Sequence, residues 1–274
     1  MQIGFVGAGR MGRPMLQRLI AAGHSVRVHY RFDWEVEAFT ADGAEITPDL
    51  RDVPVGAEAV VVNVYSDQQV REVCLDGGLV AGLAPGSLLV VHTTSSPRTS
   101  ELLAEACAAR GCAYVDAAVS GGPHNIAAGE ITLFVGGSEA AFAQAQPVLS
   151  AYGDPVIHLG PAGTGMKVKL LNNAVFGANI GVLAAAARLA ERLDLDEGAL
   201  LRAVQHGSGN SAVLGMIANR TTVRGFSEST AEFVDKDVSV AASLLADLGA
   251  GLDELEPMYE AMRAIRSQPA AAGR

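Results

Sequence analysis

The chain has 274 residues, 49% hydrophobic and 18% charged, which is enough to build one large domain or two modest ones around a buried core. This composition excludes a largely disordered chain. The formal net charge of −10, without a long run of lysine or arginine, argues against nucleic acid and anionic membrane surfaces as partners. Without a signal-like segment or a continuous apolar run of about 18 residues, the sequence predicts a soluble, cytoplasmic protein with no membrane partner.

The cysteine pattern bears on disulfides and metals. Cys74, Cys107 and Cys112 are an odd number without CxxC spacing, which argues against a disulfide framework and a zinc site. We expect three buried thiols. Because His, Asp and Glu show no cluster at ligand spacing either, we expect no metal site.

The N-terminal part alternates short apolar strands with helices. An apolar strand over residues 2–6 is followed by an amphipathic helix over residues 13–22 and a second strand over residues 25–30. Later strands are predicted over residues 59–64, 87–92, 113–117, 131–136 and 156–159, with a helix over residues 98–110. This βαβ alternation predicts a doubly wound sheet.

The pattern becomes helical after Gly160. One long helix is predicted over residues 166–193, and because it is apolar around much of its circumference it must be buried in this chain or against a second copy. Further helices are predicted over residues 196–205, 211–219 and 234–248. We therefore predict a Rossmann-type doubly wound α/β domain over residues 1–162, followed by an all-α domain for substrate binding and oligomerisation over residues 163–274.

A glycine-rich turn joins the first strand to the first helix. It consists of Gly7, Ala8, Gly9, Arg10, Met11 and Gly12. In such a turn the first glycine allows the tight bend, the second lets the backbone approach a pyrophosphate, and the third lets the helix pack on the strand. The backbone N–H groups at the helix start then face the anion. With a strand before it and a helix and strand after it, the turn predicts dinucleotide binding.

The end of the second strand selects between the two nicotinamide cofactors. An acidic residue there binds the ribose 2′-hydroxyl of NAD, whereas an arginine accommodates the 2′-phosphate of NADP. Arg31 is nearest the expected position, with Asp33 two residues further on. The guanidinium favours NADP, with NAD as the alternative; a solvated surface arginine is the structural alternative.

Two later segments place polar groups where a substrate would bind. Ser120, Gly121 and Gly122 follow a strand, and their hydroxyl and N–H groups suit a carboxylate, although an ordinary turn has the same sequence. Lys169 and Asn173 are four residues apart and share one face of the long helix, near the domain boundary. That pair predicts a proton-transfer site in a cleft, with a solvated lysine as the alternative.

Together these motifs resemble the β-hydroxyacid dehydrogenase family, which contains 3-hydroxyisobutyrate dehydrogenase, over roughly residues 3–250. Residues 4–19 are similar to its N-terminal signature, residues 116–122 with Gly129 to its substrate-binding signature, and residues 163–173 to its catalytic signature. Thr93, Thr94 and Pro97 resemble its turn at the nicotinamide, and Lys236 with Asp237 resembles a late Lys-Asp pair.

The resemblance implies reversible hydride transfer between NAD(P) and a short 3-hydroxy acid or its semialdehyde. Lys169 is then the acid/base catalyst, and Asn173 with the Ser120, Gly121 and Gly122 turn binds the substrate. The cofactor residues that it implies beyond the glycine turn are Val64, Tyr65, Thr94 and Lys236. It also implies a homodimer or homotetramer built through the long helix.

Two other functions are compatible with parts of this pattern. Imine reductases resemble the same scaffold with the catalytic lysine replaced, and a non-catalytic dinucleotide-binding module would have no use for the Lys/Asn pair. Since Lys169 and Asn173 are both present, the sequence favours the dehydrogenase. The family usually has proline where this chain has Ala118 and often a small residue in place of Ile126, so the particular acid is not identified.

Overall fold

A computed structural model of the chain describes residues 1–218, 222–247 and 249–267. It divides into two compact units, Met1–Lys169 and Leu170–Arg274. The division falls inside a long helix, whereas the sequence analysis places the boundary near the start of that helix. The boundary after residue 162 therefore stays a prediction.

Within residues 1–169, all of which the structure describes, the first unit is one eight-stranded sheet in the order β3-β2-β1-β4-β5-β6-β7-β8. Its strands are β1 (Gln2–Val6), β2 (Ser25–His29), β3 (Glu45–Thr47), β4 (Ala59–Val62), β5 (Leu88–Val91), β6 (Ala113–Ser120), β7 (Ile131–Gly136) and β8 (Gly153–His158). Its helices are α1 (Gly12–Ala21), α2 (Asp33–Ala41), α3 (Asp67–Arg71), α4 (Leu79–Gly82), α5 (Pro97–Ala108), α6 (Pro123–Ala128) and α7 (Glu139–Leu149).

The central strands explain why the sheet is covered on both faces. Every residue of β4 and β5 is buried, as expected for parallel strands between two helical layers. Along β4, Val61 belongs to one apolar cluster while Val60 and Val62 belong to another, because successive side chains point to opposite faces. The predicted doubly wound α/β fold is confirmed.

The sheet departs from the predicted pattern at its far edge. β7 runs antiparallel to β6, because the short connection through α6 cannot make the crossover of a dozen or more residues that a parallel neighbour requires. The predicted strand over residues 113–117 was too short, since pairing with β7 extends β6 to Ser120. The strand predicted over residues 156–159 begins earlier, at Gly153, where it pairs with β7.

A polar pair is enclosed in the first unit. The ring of His92, just after β5, is hydrogen-bonded through Nδ1 to the carbonyl oxygen of Ala117 and through Nε2 to the hydroxyl of Tyr152, 2.8 Å away. Because a carbonyl only accepts, Nδ1 donates to Ala117, and in the neutral ring Nε2 then accepts from the hydroxyl of Tyr152. Burial lowers the pKa of His92 to about 4.

The described part of the second unit is helical. Its elements are α8 (Thr164–Arg192), which begins in the first unit, α9 (Glu197–Gln205), α10 (Ala212–Ile217), α11 (Val223–Asp247) and α12 (Glu256–Ser267). The helix predicted over residues 234–248 was too short at its start, because it begins at Val223, a buried residue of this unit's core. Asn219 and Leu248, at the ends of two predicted helices, lie outside the described residues.

The long helix α8 has one buried and one exposed apolar face. Ala174, Ile180 and Ala184 lie in the core of the second unit, and Gly181 lets the backbone of α12 approach α8 closely. Four other side chains are each more than half exposed, and we call them the α8 stripe: Leu171, Val175, Val182 and Leu189. By length and composition alone α8 could cross a membrane, but the core helices of soluble proteins can be as long and as apolar. Half of the most apolar stretch of α8 is buried within the protein.

The prediction of three buried thiols is confirmed. Cys74, Cys107 and Cys112 are buried free thiols, and burial raises the pKa of Cys74 and Cys107 to about 12. Among the residues that the structure describes, no group of three or more His, Cys, Asp or Glu side chains is placed to hold a metal ion.

Candidate functional site

The glycine turn lies between β1 and α1. Gly7 has φ of +92°, and a Cβ on it would overlap the carbonyl oxygen of Asn63. A Cβ on Gly12 would overlap the carbonyl oxygen of Gly7, so α1 starts in direct contact with the turn. At Gly9, by contrast, no described atom lies within 4 Å of where a Cβ would be. The turn is thus closed behind Gly7 and Gly12 and open at Gly9, as a pyrophosphate requires.

A cavity of about 500 Å³ opens beside this turn. It is lined by Ala8, Gly9, Arg10, Arg13, Pro14, Gln17, Glu35, Ala38 and Phe39. Arg13 is held to Asp42 across the gap between α1 and α2, with 2.6 Å between Nε and Oδ2. The hydrogen bond from Arg13 lowers the pKa of Asp42, which therefore stays ionised. The exposed guanidinium of Arg10 adds positive charge at the mouth of the cavity.

The end of β2 carries both an arginine and a carboxylate. The backbone N–H groups of Arg31 and Phe32 donate to Oε2 of Glu35, at 2.9 and 3.2 Å. The guanidinium carbon of Arg31 lies 5.3 Å from the ring centre of Phe32. The structure therefore places Arg31 at the expected strand end, exposed, and adds Glu35, which the sequence analysis did not single out.

Three further predicted cofactor residues of the first unit follow neighbouring strands. Val64 and Tyr65 come after β4, Thr94 comes after β5, and these strands are paired. The hydroxyl of Thr93 donates to the carbonyl oxygen of Val64 at 2.9 Å and ties the two loops together. The side chain of Tyr65 is exposed. The structure thus brings Val64, Tyr65 and Thr94 to one edge of the sheet.

The Ser120, Gly121 and Gly122 turn follows β6 and leads into α6. Gly121 has φ of +130°, a conformation that favours glycine. The N–H of Gly122 donates to Oδ1 of Asn125 at 2.9 Å, so this donor is already used inside the turn. Ser120 and Gly122 are half-buried and Gly121 is exposed. The contact between Asn125 and Gly122 was not predictable from the sequence, since an i,i+3 side-chain contact in a turn has no apolar periodicity.

The carboxylate of Asp116 fixes the start of α8. It is buried in β6 and accepts the N–H groups of Gly163 at 2.7 Å and of Met166 at 2.9 Å. A Cβ on Gly165 would overlap the carbonyl oxygen of Phe134, so the first turn of α8 rests directly on β7. Burial raises the pKa of Asp116, and the donated N–H groups oppose that shift. The half-buried Lys169 follows one turn after Met166.

In the second unit, Asn173 is held in one orientation. Its Nδ2 donates to Oδ2 of Asp237, and its Oδ1 accepts from Nδ2 of Asn172 at 3.1 Å. Asn173 and Asp237 are buried, and Lys236 precedes Asp237 on α11. Lys169 and Asn173 share helix α8, four residues apart, as predicted. In the sequence Asp237 stands out only as part of a Lys-Asp pair, and its contact with Asn173, 64 residues away, is not predictable from local spacing.

Family models match both parts of the chain. One described as the NAD binding domain of 6-phosphogluconate dehydrogenase matches residues 2–160. Another, described as NAD-binding of NADP-dependent 3-hydroxyisobutyrate dehydrogenase, matches residues 163–272. The match therefore extends well beyond the glycine turn.

Individual relatives agree with these models. The chain is 35% identical over 218 residues to 3-hydroxyisobutyrate dehydrogenase of Pseudomonas aeruginosa, covering 78% of this chain and 72% of the relative. It is 32% identical over 249 residues to NAD-dependent L-serine dehydrogenase of the same organism, covering 88% and 84%. Its fold is similar to Mycobacterium tuberculosis 3-hydroxyisobutyrate dehydrogenase with L-serine, with a TM-score of 0.84, 27% identity, and 96% and 92% of the two chains covered.

Proposed function

The chain belongs to the β-hydroxyacid dehydrogenase family, and we propose from this that it is an NAD(P)-dependent oxidoreductase converting a short 3-hydroxy acid reversibly into its semialdehyde or keto acid. The observation that carries the proposal is the similarity to hydroxy acid dehydrogenases over both parts of the chain. Lys169 and Asn173 are both present, which favours the dehydrogenase over an imine reductase, in which the lysine is replaced, and over a non-catalytic dinucleotide-binding module.

The first unit fits a nicotinamide dinucleotide. The open position at Gly9 and the start of α1, whose first turn carries no acidic residue, suit the pyrophosphate. When bound, the dinucleotide accepts or supplies the hydride. Val64, Tyr65 and Thr94 would hold its nicotinamide end, and the family resemblance assigns Lys236 to the same end. Arg31, exposed at the end of β2, supports NADP as the cofactor, with NAD as the alternative.

The proton is handled by the chain's own groups. In oxidation the neutral Nζ of Lys169 accepts the proton of the substrate hydroxyl, and in reduction the charged Nζ returns it. The Ser120 hydroxyl and the N–H groups of Gly121 and Gly122 are proposed to bind the substrate carboxylate. Gly122 would have to exchange its bond to Asn125 for one to the substrate. Asn173, fixed by Asp237 and Asn172, offers the substrate a preorganised amide.

We also propose that the protein acts as a homodimer or homotetramer in the cytoplasm. The α8 stripe supports a second copy as its cover, because four large apolar side chains line up on one helix face. Three free buried thiols agree with a reducing compartment.

A substrate panel tests the proposal. The purified protein is given NAD or NADP with 3-hydroxyisobutyrate, L-serine or 2-(hydroxymethyl)glutarate, and NADH or NADPH with short semialdehydes. We expect at least one acid to reduce the cofactor, followed by nicotinamide absorbance. If both cofactors bind and no compound reacts, the result contradicts the proposed substrates and favours the non-catalytic module.

A further inference from the structure

The proposed reaction leaves one carboxylate beside the glycine turn without a role. Glu35 lies in the first turn of α2 and lines the same cavity as Gly9 and Arg10. Its Oε2 accepts the N–H groups of Arg31 and Phe32. An internal anion therefore occupies two backbone donors at the end of β2, next to an arginine.

Those donors lie at the strand end where the 2′-phosphate of NADP would bind. Adjacent backbone N–H groups beside a guanidinium form an anion-binding site, and the ribose of a dinucleotide lies at the end of the second strand of this fold. A phosphate arriving there must displace Glu35 and is repelled by its charge. A ribose hydroxyl, by contrast, donates a hydrogen bond to a carboxylate. One residue thus disfavours NADP and accommodates NAD.

We infer that Glu35 is a specificity-determining residue that weakens NADP binding and opposes Arg31. This inference rests on the proposed function, because it requires dinucleotide binding. The ratio of NADP to NAD affinity is then set by the Arg31 and Glu35 pair, not by the arginine alone. Removing the negative charge of Glu35 releases the preference of Arg31 for phosphate.

Calorimetric titration of NADP⁺ and NAD⁺ measures this without turnover. Glu35→Gln keeps an acceptor oxygen but removes the charge, and we expect the Kd for NADP⁺ to fall about tenfold relative to that for NAD⁺. Arg31→Ala should move the ratio of the two Kd values in the opposite direction. The matched control is Glu37→Gln, which removes the same charge from an exposed position of α2 and should leave the ratio within about twofold.

The outcomes separate the inference from the proposed function. If neither dinucleotide binds the unmodified protein, the proposed function fails. If both bind and Glu35→Gln moves the ratio less than about threefold, or no more than Glu37→Gln does, the inference is overturned while the function stands. A fall confined to NADP⁺ in Glu35→Gln supports it.

Discussion

Lys167 and Lys169 are two residues apart on α8, but they have different surroundings. Lys167 is exposed and pairs with Glu101, 3.4 Å away. Lys169 is half-buried and is the residue that we propose as the acid/base catalyst. The two lysines therefore form a natural comparison on one helix.

Replacing Lys169 should abolish the proton transfer and little else. Lys169→Met keeps the length of the side chain, and we expect kcat to fall by about 10²–10⁴-fold while the Kd for the cofactor is unchanged. Lys167→Met is the control and should retain kcat within about twofold, because exposed ion pairs contribute little. Steady-state kinetics and cofactor titration measure both. Equal losses in the two variants would contradict the acid/base role.

Sequence reasoning found residues whose signal is local and missed those whose signal is a distant contact. Lys169 and Asn173 were predictable because helical spacing places them on one face. Glu35 was missed because the groups that donate to its carboxylate are backbone N–H groups of a turn, which leave no pattern in the sequence. Asp116 was quoted only within a motif, although a carboxylate inside an apolar strand signals a buried partner. That partner, the start of α8, was not identifiable from neighbouring residues.

At the level of elements, the six-residue glycine turn meets two requirements with different glycines: close packing of α1 and open space beside the backbone for a dinucleotide. Gly12 is needed for the packing of α1, while Gly9 leaves space beside the backbone.

Among the helices, α11 was predicted only from residue 234, since Gly225 and the Ser/Thr-rich segment after it are weak helix formers. Packing of Val223 in the core of the second unit outweighs that propensity.

Alanine substitutions at Gly12 and Gly9 should have different effects, one on folding stability and the other on dinucleotide binding. We expect Gly12→Ala to lower the free energy of unfolding by about 1–3 kcal/mol, because its Cβ would overlap backbone. Gly9→Ala should change it by less than about 0.5 kcal/mol but weaken dinucleotide binding about tenfold or more. Denaturant unfolding and cofactor titration give the two quantities. The same pattern in both variants would rule out distinct roles for the two glycines.

Asp116 couples β6 to the helix that carries Lys169. In Asp116→Asn one oxygen becomes an N–H₂ group facing a backbone N–H, so we expect the free energy of unfolding to fall by about 1–3 kcal/mol. We also expect kcat to fall about tenfold or more, since small displacements of a catalytic group are costly. The control is Ser138→Ala, which removes the N-cap of α7. It should cost about 1 kcal/mol and leave kcat unchanged; an unchanged kcat in Asp116→Asn would contradict positioning.

At the level of the whole molecule, the α8 stripe predicts the assembly state. We expect Val182→Glu together with Leu189→Glu to convert the oligomer into monomers, because two charges cannot be buried in an apolar contact without partners. Val55→Glu, at an exposed apolar position of the first unit, should leave the mass unchanged. Light scattering coupled to size exclusion measures the mass. A monomeric unmodified protein would show that a second copy does not cover the stripe.

The enclosed pair of His92 and Tyr152 makes the protein's stability sensitive to mild acid. The unfolded chain takes up a proton on this histidine near its ordinary pKa of 6.5, whereas the folded chain resists protonation until about pH 4. Between those values unfolding is favoured as the pH falls, by up to about 1.4 kcal/mol per pH unit and about 3 kcal/mol in all. His92→Gln offers a donor and an acceptor that do not titrate, so its unfolding free energy should fall less steeply over this range. A single ring that is buried away from solvent would then set the lowest pH at which the protein stays folded.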